Sequence, residues 1–170
     1  MSRHFKPPGA YNPKNLSVEK YLPFALAEAK KLVPDAVLFR IDADGIYPDG
    51  HADITLADHG SIDFRFISPW RAKGDPSLPV GAKQDYKCMF RIMMDGEGAW
   101  AAPINGFECK ESLLGPPKCT TREVWKKALA KGAPQNAIAE LGYRGWNSKA
   151  RWYFSIEGTK FSEVFDDDCR

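Results

Sequence analysis

The chain has 170 residues, with 24 Lys plus Arg against 22 Asp plus Glu, a formal charge of +2 and four cysteines. A hydrophobic fraction of 44% beside 27% charged residues is that of an ordinary folded domain and excludes a disordered or fibrous chain. Near-neutral charge gives no electrostatic drive toward nucleic acid, and no run approaches the ~20 apolar residues of a membrane span, so neither is expected.

The first residues, with Pro7, Pro8 and Pro13, read as an extended lead-in over 1–16 without the apolar core of an intact secretory signal. Two readings of that start stay open: a cytoplasmic chain, or one from which a signal or anchor has been removed. Ser17 caps a helix over 17–33 whose Leu22, Ala25, Leu26, Ala29 and Val33 form one apolar stripe. Pro23 suits only a first turn, which puts the regular start near Tyr21, and Pro34 stops the helix. A strand over 36–43 sets Val37, Phe39 and Ile41 against Leu38, Arg40 and Asp42. Tyr47-Pro48-Asp49-Gly50 turns the chain into a second strand over 52–56. A third, over 61–68, alternates Ile62, Phe64 and Phe66 with Asp63, Arg65 and Ile67.

Residues 69–82 are rich in proline and glycine and read as a loop. A hairpin over 85–107 turns at Asp95-Gly96-Glu97-Gly98. After Gly115-Pro116-Pro117, Thr120 and Glu123 form a capping box for a second helix, with Val124, Trp125, Ala128 and Leu129 on its buried stripe. Residues 135–141 suit a short helix or a strand. Residues 151–156 alternate with Trp152, Phe154 and Ile156 inward, and Gly158-Thr159 leads to a last strand over 161–165. The fold class is therefore α+β: an antiparallel sheet of about seven strands, or two smaller sheets, with two helices in a single domain over 17–170. The halves 17–68 and 119–170 each read as a helix followed by strands, which suggests two α-β-β-β repeats with a hairpin insert over 83–109.

This helix-then-meander order, over 22–66 and more loosely over 120–168, resembles the PepSY-type module of bacterial envelope proteins and protease propeptides. In the second half Lys149-Ala150-Arg151-Trp152-Tyr153-Phe154-Ser155-Ile156-Glu157-Gly158 looks like that family's central strand and turn. The resemblance implies a non-enzymatic, extracytoplasmic binding or inhibitory role. It leaves 69–118 uncovered and carries over no functional residue.

Cys88, Cys109, Cys119 and Cys169 are even in number and contain no CxxC pair, which disfavours a zinc site. Cys88 falls on the inward face of a strand, and the returning arm of its hairpin brings Cys109 back toward it. Cys119 precedes a helix and Cys169 is penultimate, a place for a terminal staple. The pairing Cys88–Cys109 with Cys119–Cys169 is favoured. Cys109–Cys119 competes with it, and four free buried thiols are the plain alternative. Disulfides imply a periplasmic or extracellular location; free thiols would fit a cytoplasmic one.

Asp42, Asp44, Asp49 and Asp53 crowd one turn region and raise calcium as a ligand, although the spacing is not that of an EF-hand and turn chemistry accounts for the same residues. Asp166-Asp167-Asp168 reads as a solvated acidic tail. A basic run of Arg65, Arg71, Lys73, Lys83 and Lys87 interleaves with Phe66, Trp70 and Tyr86, and Asp63, Asp75 and Asp85 offset its charge. No catalytic constellation stands out. A hydrolase would require His51 or His59 to meet a carboxylate and a nucleophile, and no glycine-rich phosphate loop is present. The expectation is a non-enzymatic extracytoplasmic binding or regulatory module. It would contact a protein or envelope partner through Trp70, Arg71, Trp100, Trp146 and the 69–82 loop. A small-ligand or calcium domain using the 42–53 hairpin, with Asp42, Asp44 and Asp49 as ligands, is the alternative.

Overall fold

In a computed structural model that describes residues 3–56, 60–73, 88–104, 109, 112–147 and 149–169, the Ser17 hydroxyl accepts the Lys20 N–H at 3.2 Å and opens α1 (Val18–Leu32). The helix starts a full turn before the position that Pro23 suggested. A proline there removes one N–H from the helix ladder, and burial of Val18, Tyr21 and Leu22 in the same turns offsets that loss. A short turn of helix, α2 (Pro69–Ala72), begins the segment expected to be loop throughout. The capping box forms as the spacing predicts: Thr120 Oγ1 accepts the Glu123 N–H at 3.2 Å, the Glu123 carboxylate accepts the Thr120 N–H at 2.8 Å, and α3 (Thr121–Ala130) follows.

Eight antiparallel strands make one sheet: β1 (Arg3–Phe5), β2 (Val37–Ile46), β3 (Ile62–Ile67), β4 (Met89–Asp95), β5 (Gly98–Pro103), β6 (Ala139–Trp146), β7 (Lys149–Ser155) and β8 (Ser162–Asp166). Their spatial order is β1-β5-β4-β3-β2-β6-β7-β8. The extended lead-in supplies one strand that was not expected, because residues 3–5 pair with β5. The strand expected over 52–56 does not form. Ala52 makes only isolated bridges to Leu16 and Ile46, and the Asp53 carboxylate accepts from the Thr55 N–H and hydroxyl, closing a turn. Residues 139–146 resolve as strand. Their alternation puts Ala139, Leu141 and Tyr143 inward, and β2 offers them a partner along its length.

Both long helices pack on the same face of the sheet. Ala25 and Ala29 of α1 and Val124 and Trp125 of α3 share one buried cluster with Ile41, Phe64, Leu141 and Phe154. The Trp125 indole N–H donates to the Ile46 carbonyl at 3.0 Å, and its ring meets Phe154 edge-on at 4.8 Å. β2 and β6, each the first strand after a long helix, lie side by side in the middle of the sheet.

Two disulfides staple the fold, Cys88–Cys109 with Cα atoms 6.2 Å apart and Cys119–Cys169 with Cα atoms 4.8 Å apart. The acidic tail is only partly solvated. The Asp167 carboxylate accepts the N–H groups of Lys118 and Cys119 at 2.9 and 2.8 Å and the Trp152 indole N–H at 3.2 Å. It therefore anchors the chain end to the segment that leads into α3. Disulfides such as these two form and persist in chains that fold in an oxidising compartment. No helix among the described residues is long and apolar enough to cross a membrane.

Candidate interaction face of the sheet

The face opposite the helices carries the charge. A bulge between Leu38 and Arg40 shifts the pairing of β2 with β3, so Leu38 faces the helices while Phe39 joins a small second apolar cluster with Ile67, Met89 and Ile104. Beyond the bulge, Arg40 and Asp42 point to the same side as Phe39.

From there the register places one arginine on each of five neighbouring strands. Arg91 on β4 pairs with Arg65 on β3, Arg65 with Arg40 on β2, Arg40 with Arg144 on β6, and Arg144 with Arg151 on β7. The row runs perpendicular to the strands, between Ala102 on β5 and Asp166 on β8. At ~4.8 Å per strand its five members span about 19 Å. Side-chain exposure ranges from 20% for Arg65 to 42% for Arg144, so stems are packed while the guanidinium groups reach the surface.

The next row along the strands partly neutralises this charge. It reads Trp100, Met93, Asp63, Asp42, Gly142, Tyr153 and Val164 from β5 to β8. The Asp42 carboxylate lies 2.5 Å from Arg40 Nε, 3.2 Å from Arg65 Nη2 and 3.8 Å from Arg144 Nη2. Asp63 holds Arg65 Nε at 2.8 Å and stands 3.5 Å from Arg91 Nη1. Its own side chain is 4% exposed, and its second oxygen has no hydrogen-bond partner among the described residues. Burial pushes the Asp63 carboxyl above the ordinary range despite the pull of Arg65 and Arg91.

Gly142 is what lets Arg144 lie flat. A Cβ at this position would stand 3.3 Å from Arg144 Nε and Nη2 and 3.5 Å from Asp42 Oδ1. Arg144 instead extends over the Tyr153 ring, its guanidinium carbon 4.9 Å from the ring centroid. A third row holds Asp44 and Glu140 beside each other; burial raises both carboxyls, and the Asp44 charge adds to the effect on Glu140.

The structure distributes the residues singled out in the sequence unevenly. Trp146 and Trp100 both lie on the arginine face and flank the row on opposite sides, Trp146 two residues beyond Arg144 and Trp100 two before Ala102. Trp146 is 57% exposed, whereas the Trp100 indole N–H is held by Asp95 Oδ2 at 2.5 Å. Trp70 and Arg71 sit apart, exposed on α2. The Asp35 carboxylate accepts the Trp70 N–H and the Ser68 hydroxyl at 2.8 Å each and fixes that turn against the start of β2. Most of the predicted 69–82 loop, with Lys83, Asp85, Tyr86, Lys87 and His59, lies outside the described residues.

The proposed calcium ligands do not converge. Asp42 is shared among arginines, Asp44 accepts the Ser61 N–H at 3.0 Å, and Asp49 lies 2.5 Å from His51 Nδ1. Among the described residues the sole trio of metal-ligating groups within 4.8 Å is Cys119, Asp168 and Cys169, whose sulfurs are bonded to each other. His51 does meet a carboxylate, in a cleft of about 350 Å³. The Thr121 hydroxyl in that cleft donates to the Gly50 carbonyl at 2.9 Å.

Arg91, Arg144 and Arg151 were not singled out from the sequence, although each is a lone arginine at an outward position of a strand. The alternation was visible; the register that aligns the five was not. No protein-family model, curated protein or solved structure matches the chain, so the reading of this face rests on its own geometry.

Proposed function

We propose that this protein is a non-enzymatic binding module that works outside the cytoplasm and docks an acidic protein surface on the open face of its sheet. The observation that carries the reading is the row of Arg91, Arg65, Arg40, Arg144 and Arg151 on adjacent strands. Like charges placed directly opposite each other across strands cost stability. Three carboxylates, Asp42, Asp63 and Asp166, stand within 4 Å of these five cations, which leaves the row itself two positive charges in excess. Arginine suits this task because its planar fork meets carboxylates in a bidentate way and stays charged at any physiological pH. A broad, shallow face with exposed Trp146 and half-buried Trp100 and Tyr153 fits a protein surface better than an enclosed small molecule.

Two disulfides support a periplasmic or extracellular setting. The central β2–β6 pair, with a helix and a meander leading out from it in each half, supports the reading of two diverged repeats and the PepSY-type resemblance.

The test uses the oxidised full chain and a fluorescent 20-residue glutamate-rich peptide, with binding followed by anisotropy. Arg144→Gln with Arg151→Gln should weaken binding about 10-fold and flatten its salt dependence. Lys30→Gln with Lys126→Gln removes the same charge from the exposed side of the helices and should leave binding near wild type. Equal losses in both pairs would reduce the effect to net charge and dispose of the docking face.

A further inference from the structure

We infer that the partner presents an acidic α-helix, laid across the strands so that about one carboxylate per helical turn meets each arginine; this rests on the docking reading above. Spacing is the first argument. The arginines recur every ~4.8 Å, a helix returns a side chain to one face every ~5.4 Å, and an extended chain does so every ~6.6 Å. Across the four intervals from Arg91 to Arg151 a helix accumulates a mismatch of about 2 Å and an extended chain about 7 Å. The five N–H donors spread over each guanidinium fork span the first offset and not the second.

Width is the second argument. Asp44 and Glu140 lie on the same face four residues along their strands from Arg40 and Arg144, about 13 Å from the arginine row. A helix ~10–12 Å across fits on the row and stops short of these carboxylates. A flat anionic surface such as a lipid headgroup layer would press its charges onto Asp44 and the exposed Glu140 as well.

Preorganisation is the third. Asp42 and Asp63 hold Arg40 and Arg65 from one side, and Tyr153 supports Arg144 from below. These guanidinium groups are already ordered before a ligand arrives, which lowers the entropic cost of binding.

The experiment compares three labelled 18-residue peptides of equal charge against the oxidised full chain. One is a helix with glutamates at i, i+4, i+7, i+11 and i+14. The second is a helix with the same residues dispersed around its circumference. The third carries two internal prolines that prevent helix formation. Vesicles containing phosphatidylglycerol form a fourth arm. We expect the one-faced helix to bind at least about 10-fold tighter than the other two peptides, and to lose that advantage in the Arg144→Gln, Arg151→Gln pair. Arg40→Gln with Arg91→Gln serves as a second pair should the first fail to fold. If the proline peptide binds as tightly as the one-faced helix, the helical partner is overturned while acidic docking stands. Binding to vesicles with none to any peptide overturns the helix in favour of a lipid surface. If neither peptides nor vesicles bind, or if both arginine pairs bind as wild type, the docking face falls with it.

Discussion

Replacing Cys119 and Cys169 together by alanine removes the staple that ties the chain end to the entrance of α3, and its cost can be worked from the loop it closes. The bridge spans a sequence separation of 50 residues, against 21 for Cys88–Cys109. In the chain-entropy account, cross-links of those lengths restrict the unfolded ensemble by about 4 and about 3 kcal/mol respectively. The C-terminal pair carries a further loss. Cys119 is 2% exposed and packs in the main core, and the Cys169 N–H donates to its sulfur at 3.2 Å. Releasing residue 169 also loosens the Asp167 carboxylate from the three N–H groups it accepts. We therefore expect about 4–5 kcal/mol for the Cys119→Ala, Cys169→Ala pair and about 3 kcal/mol for the Cys88→Ala, Cys109→Ala pair, a large share of a typical domain's stability. Urea unfolding followed by tryptophan fluorescence, in the absence of reductant, measures both. A C-terminal pair that costs less than the inner pair, or less than about 1 kcal/mol, refutes the loop-length reasoning.

Three further outcomes are expected. Trp125→Phe strands the Ile46 carbonyl, which the indole N–H now satisfies, and opens a void against Phe154. A loss of about 2–3 kcal/mol in the same urea assay is predicted, and a neutral change would show that the site repacks. Gly142→Ala places a Cβ 3.3 Å from Arg144 Nε and Nη2, so the Arg144 guanidinium must give by a few tenths of an ångström. Binding of the one-faced helix should weaken several-fold while stability shifts by less than about 1 kcal/mol; unchanged binding would remove Arg144 from the docking face. Burial raises the Asp63 carboxyl above its unfolded value, so the folded chain holds that proton more tightly than the unfolded one. Its contribution is fully present at acid pH, below the unfolded carboxylate range near 4, and is lost as pH rises through the folded value. Asp63→Asn keeps an acceptor for Arg65 and cannot ionise. Relative to wild type it should gain stability between pH 4 and pH 7 in paired urea melts, and a relative loss over that interval would reverse the assigned sign.

Local signals in the sequence reached a long way into the fold. Ser17, the Thr120 and Glu123 capping box, the Asp95–Gly98 turn and the alternation at Trp152, Phe154 and Ile156 each rest on contacts within a few residues, and each appears as expected. Both disulfide pairings followed from placing cysteines at strand and chain ends. What failed was set by distant partners. Residues 52–56 carry a strand-like pattern, but the 13–16 segment takes the available pairing through Leu16 and Pro13. The bulge at Leu38 and Arg40 also escaped: plain alternation put Phe39 with Ile41, whereas the extra residue turns Phe39 to the arginine side. Register is a property of pairs of strands. Five lone arginines separated by up to 111 residues (Arg40 to Arg151) gave no local sign that they would share a row.

The same row explains why overall charge misled about surface chemistry. A net charge of +2 weighs every residue equally, but folding sorts them. Asp49, Asp53 and Asp168 go to turns and to the chain end, where they satisfy backbone donors or a lysine. The arginines of five strands go to one face, where Asp42, Asp63 and Asp166 answer three of the five charges. A sheet under no other demand would set oppositely charged residues opposite one another, since such cross-strand pairs stabilise it by a few tenths of a kcal/mol and like pairs cost a similar amount. Here four successive cross-strand pairs are arginine against arginine. That arrangement forgoes stability at each step. Asp42, Asp63 and Asp166 offset part of that cost from within the protein, and the two charges left over are what the proposed acidic helix would meet.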